Sequence, residues 1–535
     1  MANIKNKFGQ YMTPKEVANF MFSLSSVNTS SIILEPSCGD GVFLEVFKEN
    51  GYSNYLAFEI DKDIITDPIK VVNSSFVSSN VNEQFDLIIG NPPYIRWKNL
   101  EQKLKDELNT NELWNKYCNS LCDYSNIFII KSIELLKDGG ELIFITPEYW
   151  LNTTHSIKMR NYMMQNGFFE EIYHFNETPI FEKATVSTII FKYRKSKISV
   201  LKNIKVAKYY SNKKLTDSIL NKMKSWEIQE NTEYILVPQF EINKNWILAS
   251  KDVIDELNIF EKRCVKFHTN DLFSEKDFFT IGDVCNIGNG MVSGLDKAFQ
   301  VEEIKNLTSE EINYSIQVVK AKFLYPYYHT DTTRYIFINE LITEDEFKNK
   351  CPNYYNHLAH YVEQLDSRYQ YNRDIKYWEW VFLRNYNLFN QRTPKIFVPC
   401  KERISNKDYF RFSYVEEGIF PTQDVTAIYK KEDVEENLLY ILAFLNSKYV
   451  FDWLRFNGIV KGNIVEFSEK PIASIPFRKI NFNDENEVMI HNQIVSLAEN
   501  YLRSKNKNVL NELNEAIDNL FIGNGENDVC ELRGA

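Results

Sequence analysis

The chain has 535 residues, a length that is too great for one ordinary domain and predicts roughly two to four of them. Hydrophobic residues make up 44% of the chain and charged residues 25%, which is the composition of a globular protein and excludes a largely disordered one. The formal net charge of −11 argues against a protein that coats nucleic acid without specificity, but it allows an enzyme with a local basic face.

Neither the cysteines nor the apolar runs indicate a metal site, a secreted protein or a membrane protein. The eight cysteines are scattered, and no pair has the CxxC spacing of zinc and redox motifs. The first ten residues are polar and lack the apolar core of a signal peptide, and no stretch approaches ~18 uninterrupted apolar residues. We therefore expect a reducing, cytoplasmic compartment and no bound metal.

The first part of the chain alternates short apolar runs with helical patterns. The strand-like runs are Ser31–Leu34, Tyr55–Phe58, Phe85–Ile89, Glu141–Ile145 and Thr188–Phe191. The helical patterns cover Val17–Leu24, Val42–Glu49 and Ile127–Leu136. This alternation predicts an α/β domain over residues 1–196 with a parallel, doubly wound sheet, which the last of these runs closes.

The character of the sequence changes after this domain. A lysine-rich stretch at 192–214 leads into a predicted connector over residues 197–276. Short β-like runs, aromatic residues and glycine-containing turns then predict a mixed α+β domain over residues 277–480. Residues 481–535 have a charged helical pattern and are predicted to form a helical tail.

A glycine-bearing loop follows the first strand, where residues 33–43 read ILEPSCGDGVF. Gly39 and Gly41 allow positive φ angles and a close approach of the backbone to a ligand. In an open parallel sheet, such a loop lies at the carboxyl ends of the strands, where ligands bind. Taken alone, the loop fits an ordinary turn between a strand and a helix about equally well.

The end of the second strand strengthens the prediction of a ligand. This strand runs into Phe58-Glu59-Ile60-Asp61, and an acidic side chain at the position of Glu59 can accept hydrogen bonds from both ribose hydroxyls of an adenosine. Because the chain carries no GxGxxG pattern, the sequence favours a mononucleoside ligand over a dinucleotide.

A buried strand runs directly into Asn-Pro-Pro-Tyr at residues 91–94. The two prolines stiffen the loop and leave it rich in carbonyl acceptors, so the side-chain oxygen of Asn91 and the carbonyl of Pro92 can converge on one planar amine. Two acceptors that hold both N–H bonds would direct the nitrogen lone pair toward an electrophile such as a sulfonium methyl group. Tyr94 can stack on the ring that carries the amine. The loop therefore predicts N-methyl transfer without a metal or a covalent nucleophile.

These motifs, together with FGQYMTP, GGELIFITP and PIFEKATVSTII, occur in the order found in gamma-class N6-adenine DNA methyltransferases of the TaqI type, which the chain resembles. The resemblance extends more loosely through Gly288–Phe299, Trp378–Pro399 and Leu445–Phe477, which are similar to the family's target-recognition region. It implies a Rossmann-like methyltransferase domain followed by a mixed α+β target-recognition domain.

The resemblance also implies the reaction and the partners. S-adenosylmethionine would be the cofactor, and N6 of an adenine within a specific DNA sequence would be the acceptor. Double-stranded DNA is the implied partner, and the family usually acts as a monomer. Whether a cognate restriction endonuclease exists is left open.

Individual residues receive roles from the same resemblance. The cofactor-binding residues would be Thr13, Glu35, Pro36, Cys38, Gly39, Glu59, Ile60, Ser75, Phe76 and Phe128. Asn91 and Pro92 would hold the target amine, while Tyr94 and Phe181 would sandwich the adenine. The adenine would have to be flipped out of the duplex, because N6 cannot be reached inside it.

One position departs from the family pattern. After the third strand, the family usually carries an aspartate that contacts the adenine amine of the cofactor, whereas this chain reads Asn73-Ser74-Ser75-Phe76. Ser75 takes the place of the aspartate and can still accept a hydrogen bond, although an ionised acceptor would be stronger. The departure bears on cofactor affinity rather than on the type of reaction.

A basic, aromatic stretch in the second half is the candidate DNA-contacting region. Residues 376–411 contain eight basic and three acidic residues, a local balance of +5, with Trp378, Trp380, Tyr386 and Tyr409 interleaved. Basic side chains there would contact phosphates, and some would read guanine edges. The candidates are Arg384, Arg392, Lys401 and Arg403.

Alternative functions share part of this evidence. Asn-Pro-Pro-Tyr also occurs in enzymes that methylate glutamine in release factors, and similar loops occur in rRNA methyltransferases. The large carboxyl-terminal region favours DNA over both. A non-catalytic DNA-specificity subunit would not need the cofactor loop, Glu59 and Asn91 together. The position of the first motif at Phe8 and the short tail argue against a fused nuclease.

Overall fold

A computed structural model describes residues 9–65, 70–181, 186–198, 202–265 and 278–522, apart from residues 303, 341, 372, 405, 406 and 462. Within these residues the chain forms two compact units that divide between Asp255 and Glu256, and residues 461 and 463 belong to the first unit. No helix in the described part of the chain is long and apolar enough to span a membrane.

The first unit is built on a nine-stranded sheet with the order β3-β2-β1-β4-β5-β7-β6-β8-β9. Its strands are β1 (Ile33–Glu35), β2 (Tyr55–Glu59), β3 (Val71–Asn73), β4 (Phe85–Gly90), β5 (Leu136–Pro147), β6 (Gly167–His174), β7 (Thr188–Lys195), β8 (Ile204–Tyr209) and β9 (Thr232–Val237). Strands β1 to β5 are mutually parallel, and β1 lies between β2 and β4. The carboxyl ends of β1, β2 and β4 therefore share one edge of the sheet.

Helices cover both faces of this sheet, as a doubly wound fold requires. They are α1 (Lys15–Ser23), α2 (Val42–Glu49), α3 (Gln102–Thr110), α4 (Glu112–Tyr117), α5 (Ser125–Leu135), α6 (Ile157–Asn166) and α7 (Asp217–Ser225). The next helix, α8 (Lys251–Arg263), contains the boundary between the units. Apolar residues of α1, α2 and α7 form one core with the sheet, while those of α3 to α6 form the other. The predicted α/β fold class is confirmed.

Two details of the predicted sheet are wrong. The strand predicted at Thr188–Phe191 does not close the sheet, because β7 lies between β5 and β6 and runs antiparallel to both. The sheet also continues beyond residue 196, because β8 and β9 fall within the predicted connector 197–276. The α/β unit therefore extends about sixty residues past its predicted end, to Asp255.

The lysines of this stretch are the physical reason for the error. Lys192 on β7 is buried, lies 3.1 Å from Glu141 and 3.2 Å from Glu170, and donates to the carbonyl of Leu24. Lys208 on β8 is buried as well and lies 3.5 Å from Glu233 on β9. Because partners elsewhere in the sheet satisfy these charges, a lysine-rich sequence forms interior strands although its composition is that of an exposed connector.

The second unit is a mixed α+β structure with three small sheets. Its strands are β10 (Cys285–Asn289), β11 (Ser315–Val319), β12 (Thr333–Ile336), β13 (Lys395–Pro399), β14 (Lys401–Arg403), β15 (Ser413–Val415), β16 (Ile419–Pro421), β17 (Val425–Lys430), β18 (Ile459–Lys461) and β19 (Ile464–Glu466). They pair in the orders β10-β17-β13-β15, β12-β11-β16 and β14-β19-β18.

The helices of this unit are mostly short. They are α9 (Ile281–Val284), α10 (Asp296–Phe299), α11 (Ser309–Asn313), α12 (Glu344–Lys350), α13 (Pro352–Ala359), α14 (Val362–Asp366), α15 (Tyr386–Phe389), α16 (Leu438–Leu445), α17 (Lys448–Asn457), α18 (Glu469–Ala473), α19 (Glu485–Ser504) and α20 (Lys507–Ile522). The predicted tail over 481–535 is helical in its described part, where α19 and α20 pack against α16. It is thus an integral part of the second unit.

Candidate active site

The loop after β1 is fastened to the end of β2. Gly39 and Gly41 have φ angles of 56° and 91°, the left-handed region that glycine adopts without steric cost. The Cys38 N–H donates to the carbonyl of Phe58 at 2.9 Å, and the Gly39 N–H donates to Oε2 of Glu59 at 2.8 Å. The two glycines thus let the loop turn tightly beside Glu59 before α2 begins.

This loop forms one wall of a cleft with an empty volume of about 730 Å³ at the carboxyl edge of the sheet. Ten residues singled out from the sequence line it, namely Thr13, Pro36, Cys38, Gly39, Glu59, Ile60, Ser75, Phe76, Asn91 and Phe128. Four others do not, namely Glu35, Pro92, Tyr94 and Phe181. The cleft therefore joins the glycine loop, the end of β2 and the Asn-Pro-Pro-Tyr loop in one site.

Glu59 is held by donors at the wall of this cleft. Besides the Gly39 N–H, its carboxylate accepts the Asp61 N–H at 2.8 Å and the side-chain amide of Gln10 at 3.5 Å. Burial raises the pKa of Glu59, and the backbone hydrogen bonds from Asp61 and Gly39 work against that rise. The carboxylate is thus oriented in advance of any ligand.

Glu35 is fully buried beneath the loop. Its Oε1 accepts the Ser37 N–H at 3.0 Å, whereas Oε2 has no hydrogen-bond partner in the described structure. Burial raises the pKa of Glu35 well above its usual range, the Ser37 N–H lowers it, and the charge of Glu59 raises it further. A Cβ at Gly90 would collide with this carboxylate, which explains the glycine before Asn91. A buried carboxylate with an unpaired oxygen is suited to a cationic ligand.

The far end of the cleft is apolar and aromatic. Phe76 and Phe128 have ring centroids 5.4 Å apart, and Ile60 and Leu104 line the same cleft. Among the described residues, those that line the cleft include Asp40 and Glu59 but no lysine or arginine. A flat, uncharged or cationic ligand suits these walls.

Asn91 directs its amide oxygen away from its anchors. The amide nitrogen donates to the carbonyl of Tyr11 at 2.7 Å and to the hydroxyl of Thr13 at 3.1 Å. The amide oxygen is buried and has no partner in the described structure. These two donated bonds fix which end of the amide faces the backbone, so an acceptor is left for an N–H donor.

The two rings predicted to sandwich a base are already in contact with a third ring. Tyr94 and Phe181 lie 6.0 Å apart with an angle of 70° between their planes, and the ring of Tyr11 lies 5.3 Å from one and 5.4 Å from the other. A base between two rings needs parallel planes about 7 Å apart, two van der Waals contacts. Tyr94 also donates its hydroxyl to the carbonyl of Ile145 at 2.9 Å. The sandwich remains a prediction that requires Tyr11 to move.

The sequence does not predict the roles of two residues of this site. Tyr11 belongs to the FGQYMTP motif, which indicates that the segment is functional but does not predict the contact of its ring with Tyr94 and Phe181. Glu107 on α3 receives a hydrogen bond from Ser75, a contact across 32 residues that no sequence pattern announced.

The predicted basic stretch 376–411 proves to be only partly exposed. Lys395 is buried, and Lys407 and Arg411 each lie 2.7 Å from the buried carboxylate of Glu402. Trp378 and Trp380, which are interleaved with these basic residues in the sequence, are core residues and are buried away from solvent. Three of the eight basic residues therefore make contacts within the unit.

The four predicted DNA-binding residues fall into two groups. Arg384 is partly buried and donates to the carbonyl of Gly290 at 2.6 Å. Arg392, Lys401 and Arg403 are exposed, and the last two flank the inward-facing Glu402 on β14. Because alternate residues of a strand share one face, Lys401 and Arg403 present their charges on the same side.

This fold, with a cleft at the carboxyl edge that joins a glycine loop, an acidic strand end and an Asn-Pro-Pro-Tyr loop, defines a Rossmann-like methyltransferase. Residues 16–181 match the model of the Eco57I restriction-modification methylase family. The chain is 46% identical over 521 residues to the Type II methyltransferase M.HindII of Haemophilus influenzae strain Rd, covering 97% of this chain and 98% of that protein. It is 43% identical to M.HincII of Haemophilus influenzae with the same coverage.

The chain therefore belongs to the Type II methyltransferases of restriction–modification systems, and its activity is DNA methylation. A solved structure supports the fold: the Type IIL restriction-modification enzyme MmeI in complex with DNA has a TM-score of 0.58 and 13% identity. That match covers 96% of this chain and 73% of the other.

Proposed function

We propose that this enzyme transfers the methyl group of S-adenosylmethionine to N6 of an adenine in a specific double-stranded DNA sequence. The single observation that carries the proposal is the buried, unpaired oxygen of Asn91 beside a nucleoside-sized cleft. An exocyclic amine is the N–H donor that this oxygen lacks, and the carbonyl of Pro92 is the second acceptor in the proposal.

The residues of the cleft fit the cofactor. Glu59 would hold the ribose, Ile60, Phe76 and Phe128 the adenine, and the loop at Pro36, Cys38 and Gly39 the remaining contacts. Thr13, which lines the cleft, would serve the methionine end. The resemblance gives Glu35 the same role, although its carboxyl group lies buried behind the cleft wall and its Oε2 has no partner in the described structure. Asp40 and Glu59 are the acidic side chains among the described residues that line the cleft, and they suit a sulfonium compound better than a nucleotide phosphate. When bound, the cofactor supplies an activated methyl group.

The protein's own contribution to the reaction is positioning. Asn91 is fixed by its bonds to Tyr11 and Thr13, so its oxygen needs no reorganisation when the amine arrives. Holding both N–H bonds of the amine aims the nitrogen lone pair at the electrophile. Tyr94 and Phe181 would stack on the flipped adenine once the three rings, which now contact one another, have separated.

The test is the methylated nucleoside itself. DNA from cells that express the wild type should contain N6-methyladenine at one recurring sequence, detected by mass spectrometry of nucleosides and by sequencing. Asn91→Ala should reduce methyl transfer at least about a hundredfold, the loss expected when one preorganised polar group is removed from a reacting centre.

Two further measurements make this test specific. Asn54→Ala, at an exposed asparagine of the same unit, is the matched control and should methylate normally. N4-methylcytosine in place of N6-methyladenine, or full activity of Asn91→Ala, would overturn the proposal. Gel filtration and growth of cells that carry a neighbouring endonuclease gene would test the expected monomer and an endonuclease partner.

A further inference from the structure

The contact between Ser75 and Glu107 concerns the position at which the chain departs from its family. The hydroxyl of Ser75 lies 2.5 Å from Oε1 of Glu107 on α3, and Ser75 lines the cleft. A carboxylate accepts hydrogen bonds and does not donate them, so the shared proton belongs to Ser75. The serine oxygen then keeps its two lone pairs for other donors.

The surroundings hold this serine in place. Lys131, buried beside it, donates to the carbonyls of Phe76 and Ser79 at 2.6 Å each and of Val77 at 3.1 Å. These bonds anchor the backbone directly after Ser75, and burial lowers the pKa of Lys131 to about 8. Ser75 is therefore a fixed polar group beside the otherwise apolar walls formed by Phe76 and Phe128.

The neighbouring phenol of Tyr124 also hydrogen-bonds Ser75, and as a donor it uses one of the two lone pairs of the serine oxygen and leaves the other for a ligand. Tyr124 lines the same cleft, and its pKa is raised by burial and by the charge of Glu107, with a smaller opposing effect from Ser75. The phenol therefore keeps its proton. The negatively charged group that Ser75 contacts is the carboxylate of Glu107.

We propose that Glu107 is a positioning residue that polarises the Ser75 hydroxyl and makes it the acceptor for the exocyclic amine of the cofactor's adenine. A hydroxyl that donates to a carboxylate is a stronger acceptor than an isolated one, because hydrogen bonds in a chain polarise each other. The charge that the family pattern supplies on the loop itself comes here from a helix 32 residues further on. This inference rests on the proposed cofactor.

The experiment compares two ligands that differ at this one group. S-adenosylhomocysteine presents an amine to Ser75, whereas S-inosylhomocysteine presents a carbonyl oxygen at the same position. Titration calorimetry on the full-length protein gives the ratio of the two dissociation constants. The wild type should prefer the amine ligand strongly.

Glu107→Gln keeps an oxygen that accepts from Ser75 and removes only the charge. We expect it to weaken S-adenosylhomocysteine roughly tenfold and to change S-inosylhomocysteine by less than about twofold, so that the preference falls about tenfold. Asp106→Asn, which removes a charge from the exposed side of the same helix, should leave the ratio unchanged. The double variant Ser75→Asp with Glu107→Gln should restore the preference, because the carboxylate then stands on the loop.

The outcomes separate this inference from the proposed function. Equal losses for both ligands in Glu107→Gln, or no loss, would overturn the role of Glu107 and leave the cofactor intact. If the wild type binds neither S-adenosylmethionine nor S-adenosylhomocysteine, the proposed function itself fails. Should Glu107→Gln not give folded protein, Ser75→Ala carries the same comparison, and an unchanged ratio there contradicts the inference.

Discussion

Glu35 occupies a position that costs the ligand-free protein stability. Its carboxyl group is fully buried, has one hydrogen bond from Ser37 and leaves Oε2 unpaired. Its pKa is raised by burial, so the folded state holds its proton to higher pH than the unfolded state does. Relative to the unfolded state, the folded state is therefore most favoured below the ordinary pKa of 4.5, where the carboxyl group is protonated in both states. This stability is lost as pH rises through the raised pKa of the folded state.

This residue yields a paired prediction about stability and binding. Glu35→Gln should stabilise the ligand-free protein near pH 8 by on the order of 1–3 kcal/mol, because no charge has to be buried. It should also flatten the fall of the melting temperature as pH rises above the ordinary glutamate pKa of 4.5.

The same variant should bind S-adenosylmethionine at least about tenfold more weakly, since the buried anion is lost. Thermal melts over a pH series and calorimetry measure both effects. A ligand-free variant that is less stable than the wild type at pH 8 would show that the carboxylate is structural.

At the scale of elements, β7 and β8 show that paired lysines belong to the core of the first unit. Lys192→Met should lower the free energy of unfolding by about 3 kcal/mol, because Glu141 and Glu170 lose a buried cationic partner and the Leu24 carbonyl loses its donor. Lys197→Met, at an exposed lysine just past β7, should change it by less than about 0.5 kcal/mol. Denaturant unfolding of both variants measures the two free energies of unfolding. Equal losses of stability in the two variants would contradict the assignment of Lys192 to the core.

How far the sequence alone predicts such elements depends on where their partners lie. The glycine loop and Asn91 were located correctly because the carboxyl ends of parallel strands meet at one edge, a rule that needs no distant contact. The burial of Lys192 and Trp380 does not follow from the sequence, because their partners, Glu141 and the carbonyl of Ile336, are remote in sequence. The contact of Glu107 with Ser75 cannot be predicted from the sequence for the same reason.

At the scale of the whole molecule, a net charge of −11 means that DNA binding must rely on a local cluster of exposed cations rather than on the overall charge. Lys401→Ala and Arg403→Ala should each flatten the plot of log K against log salt by ~0.9 if they contact phosphates, and a base-reading arginine should instead relax discrimination at one position. Lys407→Ala is the matched control, because its partner Glu402 makes it structural. It should lower stability and leave the salt slope unchanged. If both test variants show the salt dependence and the sequence specificity of the wild type, the DNA-binding surface lies elsewhere.

Residues 9–13 contribute both to the cleft and to the aromatic cluster at Tyr94 and Phe181. Gln10, Tyr11, Met12 and Thr13 line the cleft, while the ring of Tyr11 lies against Tyr94 and Phe181 and its carbonyl receives the Asn91 amide. If a ligand in the cleft or a base at Tyr94 and Phe181 repositions this segment, cofactor and DNA cannot bind independently. Each must then change the affinity of the other by the same factor. S-adenosylhomocysteine should tighten target DNA by the same factor, at least about fivefold, by which target DNA tightens S-adenosylhomocysteine. Tyr11→Ala should bring that factor close to one, and independent binding of both ligands to the wild type would refute the coupling.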